Sequence, residues 1–521
     1  MSMITATTWV PRGFAAPFPT KYVFDEDEFE RISSLAKLQL DDAKDDLEEA
    51  QNEQKEKEND TSGALDGLKT TDEMDDDLKE YDLEHYDDDE QEGGGDTMAM
   101  FGNIKNLVYH EENEDDPYIT MPGQDEEDDE REELQILATD NLVLAGRIED
   151  DVAHLEVYVY EDADDNLYVH HDIMLPSIPL AVEWIDLPAG KADKNAKGNF
   201  VAVGTMEPDI ELWNLDVVDS MYPDAILGQG AEDGAKPKKK KKKSKKANEE
   251  FHVDAVLSLA ANRQHRNLLA SASADKTIKL WDLNTTKCAK SYSYHNDKVC
   301  SLAWHAKEST ILLSGSYDRT VVAADMRAPD AVAPRWGVES DVETVRWDPH
   351  DPNYFYVSTE NGVIHYHDVR NAPSNPLETK PVWILQAHDE SISSFDVNPI
   401  IPGFIATGST DKQVKLWNIQ ASGPSMVVSR DLGVGKVFST SFAPDQEVGF
   451  RLAVAGSKGA VQIWDTSTNA AVRAAFASKV PEMHGEVKER LVGIEEDDTD
   501  SDSEEGEEND DEDDGGESME E

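Results

Sequence analysis

Six stretches of this sequence can be laid beneath one another. Taking NLLASASADKTIKLWDL (Asn267–Leu283) as template, TILLSGSYDRTVVAADM (Thr310–Met326), NYFYVSTENGVIHYHDV (Asn353–Val369) and GFIATGSTDKQVKLWNI (Gly403–Ile419) align without gaps. RLAVAGSKGAVQIWDT (Arg451–Thr466) also fits, and NFVAVGTMEPDIELWNL (Asn199–Leu215) fits more loosely. The Trp281 position recurs as Ala324, His367, Trp417 and Trp464, in steps of 43, 43, 50 and 47 residues. Each copy reads as two strands meeting at a tight turn. Asp275, Asp318 and Asp411 suit the turn because a carboxylate can accept bonds from nearby backbone N–H groups. The residues after the turn are β-branched and aromatic, as a half-buried strand requires. A period in the forties built of such hairpins predicts an all-β fold, a β-propeller whose blades bury one another's faces.

A second signature lies just upstream of each copy and marks the innermost strand of a blade: VCSLAWHAK (Val299–Lys307), VETVRWDPH (Val342–His350), ISSFDVNPI (Ile392–Ile400) and VFSTSFAPD (Val437–Asp445). ITATTWVPRG (Ile4–Gly13) has the same form, which places Trp9 in the core and makes residues 1–20 the inner strand of the first blade. That blade is then completed after an insertion at 21–133, by Asp140–Ile148, His154–Asp162 and Asn166–Leu175. The entropic cost of so long a loop grows only logarithmically with its length. Seven blades are expected, over residues 1–20 and 134–485, followed by a tail from 486 to 521.

Charge separates the interruptions from the body. Of a formal net charge of −63, residues 25–133 contribute 43 acids against 9 bases, and residues 495–521 contribute 18 acids and no base. An acidic chain does not wrap a phosphate backbone as a whole; it suits basic partners such as histones or ribosomal proteins, or serves solubility. The insertion is expected to be mostly disordered, with a helix near 26–50 on the three- and four-residue spacing of Phe29, Ile32, Ala36, Leu40, Ala43 and Leu47. Whether that helix docks on its own propeller or on a partner stays open. Met98–His110 is an apolar island that suits docking on binding. In the loop 234–250, Lys236, Lys238, Lys239, Lys240, Lys241, Lys242, Lys243, Lys245 and Lys246 form a run that cannot pack. Its chemistry fits an importin's acidic groove or the phosphates of RNA. Thr499 and Ser501 carry acids three residues downstream and are candidates for acidophilic phosphorylation.

The two cysteines, Cys288 and Cys300, make no disulfide framework, which fits a reducing compartment. The sequence contains no apolar run near the ~18–20 residues needed to cross a bilayer, so no membrane role is expected. His252 with Ser273, Asp275 and Trp281, and His388 with Asp411 and Trp417, resemble a nucleophile–base arrangement. Their recurrence with the repeat assigns them to structural bonds between turn and strand. His170 and His171 beside Asp172 invite a metal reading, but strand alternation is expected to send the two rings to opposite faces. No phosphate loop, HExxH or CxxC pair occurs. Neither catalysis, cofactor nor metal is expected.

The N-terminal TATTWVPRGFA, the acidic insertion, DPYIT (Asp116–Thr120), EVYVYE, SASADKTIKLWDL, the closing AVAGSKGAVQIWDT and the lysine run before the SAS copy together resemble the periodic tryptophan protein 1 family of nucleolar WD-repeat proteins. The resemblance spans nearly the whole chain. It implies a seven-bladed WD40 β-propeller acting as a non-enzymatic scaffold in pre-60S ribosomal particles, with pre-rRNA processing, ribosomal proteins and other assembly factors as its context, in the nucleolus. A histone-binding or chromatin role at ribosomal DNA and a ubiquitin-ligase adaptor role are the alternatives. Ala324 and His367 depart from the blade-ending Trp, so those blades need other packing.

Overall fold

The computed structural model describes residues 2–24, 28, 131–132, 134–190, 197–228, 248–328, 331–480 and 488–493. The expected helix near 26–50, the Met98–His110 island, the lysine run and Thr499 and Ser501 lie outside the described residues. Two compact units divide the chain, Met1–Val23 with Gln135–Glu521, and Phe24–Leu134. The first of these units carries all the repeats.

Seven four-stranded antiparallel sheets form a ring. Blade 1 runs from its inner strand outward as Ser2–Val10, Asn141–Glu149, Val152–Glu161 and Asn166–Leu175. Blade 2 is Pro179–Ile185, Phe200–Thr205, Ile210–Asn214 and Ala225–Leu227; blade 3 is Val256–Ala261, Leu268–Ser273, Ile278–Asp282 and Lys287–Tyr292. Blade 4 is Val299–Trp304, Ile311–Ser316, Thr320–Asp325 and Arg335–Gly337; blade 5 is Val342–Trp347, Tyr354–Thr359, Val363–Asp368 and Trp383–Gln386. Blade 6 is Ser394–Val397, Phe404–Gly408, Val414–Gln420 and Gly423–Arg430. Blade 7 is Val437–Phe442, Arg451–Gly456, Val461–Asp465 and Arg490–Gly493. The last of these strands lies in the segment expected to be tail: Leu491 pairs with Trp464 and Val492 with Ile463, so the blade recruits its outer edge from beyond residue 485.

The inner strands touch in sequence around the ring, and Ser2–Val10 lies between those of blades 7 and 2. Its register runs from Ser2 opposite Glu149 to Val10 opposite Leu142. Trp9 is 6 % exposed, and its indole N–H donates to Ser441 O at 3.0 Å. Beyond the strand, the chain becomes a belt across blade 2. Phe14 meets Trp184 edge-on at 4.7 Å, the Ala16 N–H donates to Asp216, and Thr20–Lys21 pairs in parallel with Val217–Val218. The return from the insertion is close by, since the Ile136 N–H donates to Pro17 O.

Neighbouring blades are pinned by side chains at repeated positions. Six of the seven inner strands carry a register shift near their start, at Thr5, Leu180, Leu257, Cys300, Glu343 and Phe438. Where that residue can donate, it reaches a carbonyl of the next blade: Thr5 to Pro179 at 2.7 Å and Cys300 to Val342 at 2.9 Å. One step further, the hydroxyls of Ser258, Ser301, Ser394 and Ser439 accept the N–H groups of Leu302, Val345, Thr440 and Thr7 across four of the joints. Near the far end of the strands, His305, His350 and Asn398 each bond a carbonyl of the following blade. Each pin removes a buried donor or acceptor that would otherwise be costly, at a net ~1 kcal/mol.

Candidate functional site

Strand alternation places Ser271 and Ser273 on one face of blade 3, with Trp281 beside Leu269 on the paired strand. The Trp281 indole donates to Ser271 Oγ at 2.8 Å, and His252 Nε2 sits 2.7 Å from the same oxygen. His252 Nδ1 lies 2.9 Å from Asp275, whose other oxygen accepts the Thr277 N–H at 2.9 Å. Burial pushes the His252 imidazole below its ordinary value against the pull of Asp275. The Asp275 carboxyl, which burial alone would raise, is brought down to about 2, chiefly by the bond from His252. The pair is therefore a neutral imidazole on an ionised carboxylate. This dictates one chain of donors: Trp281 N–H to Ser271, Ser271 O–H to His252 Nε2, and His252 Nδ1–H to Asp275.

The serine expected in this set, Ser273, is the wrong one. Ser273 Oγ donates to Asp254 O and accepts the Asp275 N–H, closing the turn instead. Both hydroxyls share a face, and only the one deeper in the sheet reaches the histidine. Blade 6 repeats the arrangement with Thr407, His388, Asp411 and Trp417, at 2.8 Å, 2.8 Å and 3.1 Å. Blade 4 repeats it around Asp318, with His295 Nε2 2.8 Å from Ser314 and no indole, because Ala324 stands there. His295 was not anticipated, although its signal is plain. It precedes Asp318 by 23 residues, as His252 precedes Asp275 and His388 precedes Asp411.

The geometry is that of a Ser–His–Asp triad, yet it has no access. Ser271 and Thr407 are 0 % exposed, and the indole occupies the face a substrate would approach. Three copies around one ring are braces. Other blades solve the same problem differently. In blade 2 the Trp213 indole donates to Glu211 at 3.1 Å, and burial lifts that carboxyl to about 7. In blade 1 Tyr158, at the Trp position, donates to Glu156, which Arg147 pairs at 3.2 Å. Trp464 is fully buried under the Arg430 guanidinium, 5.6 Å from its ring. Ala324 shares a buried cluster with Tyr292 of blade 3, whose hydroxyl donates to Met326 O.

His170 and His171 are not sent to opposite faces. A register shift opposite Val157 and Tyr158 makes His170 an extra residue, and the two Nδ1 atoms come within 2.8 Å. Burial and the neighbouring ring push His171 down to about 4. Among the described residues no group of three or more His, Cys, Asp or Glu side chains could hold a metal ion. Cys288 and Cys300 are free thiols. No helix among the described residues is long and apolar enough to cross a membrane. With the histidines absorbed into the blades, the surfaces left for function are the lumen, the rims and the outer edges. The lumen, about 1090 Å³, is lined by Thr5, Glu183, Glu343, Arg346 and Asp396 among others. There Arg346 approaches Asp396 at 3.8 Å, and Glu183 accepts from Arg263 at 2.9 Å.

Comparison with known proteins agrees with this architecture. The WD domain, G-beta repeat, matches residues 246–282, 286–322 and 379–418, the blades that carry the histidine braces. An uncharacterised WD repeat-containing protein of Schizosaccharomyces pombe is 52 % identical, covering 96 % of both chains. Periodic tryptophan protein 1 of Saccharomyces cerevisiae is 42 % identical over 94 % of this chain and 93 % of its own. The Drosophila melanogaster homologue of periodic tryptophan protein 1 is 31 % identical over 91 % of this chain and 96 % of its own. By identity sustained along nearly its whole length, and by its seven-bladed propeller, the chain belongs to the periodic tryptophan protein 1 family of WD-repeat scaffold proteins.

Proposed function

We propose that this chain is a non-enzymatic scaffold in nucleolar assembly of the large ribosomal subunit, joining pre-60S particles alongside ribosomal proteins and other assembly factors while pre-rRNA is processed. Family membership along nearly the full length carries the reading, together with the burial of the hydroxyl and the imidazole in each of the three hydroxyl–histidine–aspartate sets described. The acidic stretches at 25–133 and 495–521 suit basic ribosomal proteins, and the run Lys236–Lys246 suits importin and RNA phosphates. Sedimentation of the tagged protein from nuclear extract tests it. Co-migration with pre-60S RNA, abolished by ribonuclease, is the expected result. The acidic stretches also favour a second reading, a histone-binding protein at ribosomal DNA, for which a ribonuclease-insensitive chromatin pellet would speak. Deleting Lys236–Lys246 should shift the folded protein to the cytoplasm, observed by microscopy of a fluorescent fusion.

A further inference from the structure

A propeller presents one outward-facing unpaired strand edge per blade, and an unpaired edge is a template for another strand unless it is blunted by charge, proline, shortness or cover. Seven such edges in one molecule provide an internal control. The outer strand of blade 1 carries Asp172, that of blade 3 Lys287 and Lys290, and those of blades 4, 6 and 7 Arg335, Arg430 and Arg490. The strand of blade 4 is covered as well, since its Gly337 N–H donates to Thr379 and a Cβ at Gly337 would strike Pro376 O at 2.6 Å. Blade 2 has an uncharged outer strand, but Ala225–Leu227 is three residues long, half-buried or buried throughout.

Blade 5 stands apart. Trp383–Gln386 has no charged residue, and its side chains alternate between half-buried and exposed. Val382 and Ile384 are 54 % and 52 % exposed. The inner edge is spent, with Trp383 opposite Tyr366, Ile384 opposite His365, Leu385 opposite Ile364 and Gln386 opposite Val363. The outer edge pairs with no strand among the described residues. The segment leading into it bears Leu377, 92 % exposed, and a depression of about 540 Å³ lined by Ser374, Glu378 and Lys380 among others.

We propose that the outer strand of blade 5 is a strand-addition site, taking an extended segment of a partner protein as a fifth strand. Main-chain hydrogen bonds to the free edge would hold the segment, and alternate apolar side chains of the partner would cover Val382 and Ile384. A second copy of this chain is the poorer occupant. Four paired residues span only ~13 Å, and two rigid blades meeting along that length bury far less than the ~800 Å² per partner of a stable interface. A flexible segment can continue past the edge over Leu377 and into the depression beside Lys380. Such an edge would serve a scaffold in any assembly, ribosomal or not.

The test uses the full chain and a displayed library of nine-residue peptides with alternating apolar and polar positions. Recovered peptides should slow amide exchange at Trp383–Gln386 at least tenfold. They should lose affinity at least tenfold against Ile384→Lys, and keep it against Met426→Lys on the exposed face of blade 6. Both variants should melt with the parent protein. Failure to recover any peptide, protection elsewhere in the ring, or equal binding to Ile384→Lys would overturn the proposal. Light scattering is run in parallel, and a dimer that Ile384→Lys dissolves would assign the edge to a second copy instead.

Discussion

Blades 3 and 5 have the same four-strand order and the same register in their three inner strands, and almost nothing in common inside. In blade 3 an indole, a hydroxyl, an imidazole and a carboxylate are joined end to end through Trp281, Ser271, His252 and Asp275. In blade 5 the corresponding positions hold His367, Val357, Val338 and Asn361, and no such chain can form. Aromatic packing takes its place: Phe355 stacks on His367 at 5.2 Å, His365 lies parallel to His367 at 5.9 Å, and Trp336 of blade 4 meets Phe355 at 4.9 Å. Four buried nitrogens, both of His367 with His365 Nε2 and Trp336 Nε1, have no hydrogen-bond partner among the described residues. Volume and pattern suffice to form a blade; the bonded chain adds stability and a unique arrangement. Blade 5 gives up that increment, and its four-residue outer strand, Trp383–Gln386, also carries no charged residue.

The contrast is broken most severely at its indole. Trp281→Ala should cost ~3–5 kcal/mol, the transfer loss plus a cavity, and His367→Ala should cost clearly less, as measured by urea unfolding. Equal losses would show that the bonded chain adds nothing beyond volume.

The unpartnered imidazole supplies a pH test. Burial and the His365 ring hold His367 down at about 3, well below its unfolded value. The unfolded chain therefore takes up a proton that the folded chain refuses. Stability is intact above pH ~6.5 and falls as pH drops toward 3, by up to about 1.4 kcal/mol per pH unit. His367→Phe should flatten that limb and add about 1 kcal/mol at neutral pH by removing the unpaired nitrogens. Melting temperatures from pH 7 to 5 decide it, and parallel curves for the two proteins would mean that the imidazole finds a partner.

Blade 2 sharpens the comparison from the other side. Glu211 is raised to about 7, so the folded state resists its ionisation. The parent protein should lose stability as pH climbs from 5 through 7, and Glu211→Gln, which still accepts from Trp213, should not. The variant should then be the more stable by ~1–2 kcal/mol at pH 8, read by chemical denaturation. The smallest effect belongs to the turns: Lys412 adopts φ 68° where blade 5 uses Gly362 at φ 80°. Lys412→Gly should gain a few tenths of a kcal/mol to ~1 kcal/mol in a thermal melt.

Much of this was readable in advance. The seven-blade ring follows from a repeat whose spacing and alternation are properties of the chain itself. Trp9 could be recognised because ITATTWVPRG has the form of the other inner strands. What escaped depends on geometry that alternation alone does not encode. Ser271 and Ser273 point the same way, and only depth in the sheet tells which meets the histidine. His170 and His171 share a face because of one extra residue in a strand. The belt from Phe14 to Lys21 rests on contacts nearly 200 residues away, with Asp216 and Val217–Val218. His295 is legible by its spacing, 23 residues before Asp318, as His252 and His388 stand before Asp275 and Asp411.

The placement of Ser2–Val10 sets the order of events during synthesis. This strand leaves the ribosome before its in-blade partners, which are encoded more than 130 residues later, and the Trp9–Ser441 bond spans 432 residues. At ~5–20 residues per second, an apolar segment bearing an indole waits on the order of ten seconds or more for blade 1, and longer for the ring to close. The intervening residues are the acidic stretch, whose like charges discourage clumping between neighbouring chains on a polysome. The same insertion thus sets how long the first strand waits for the rest of its blade.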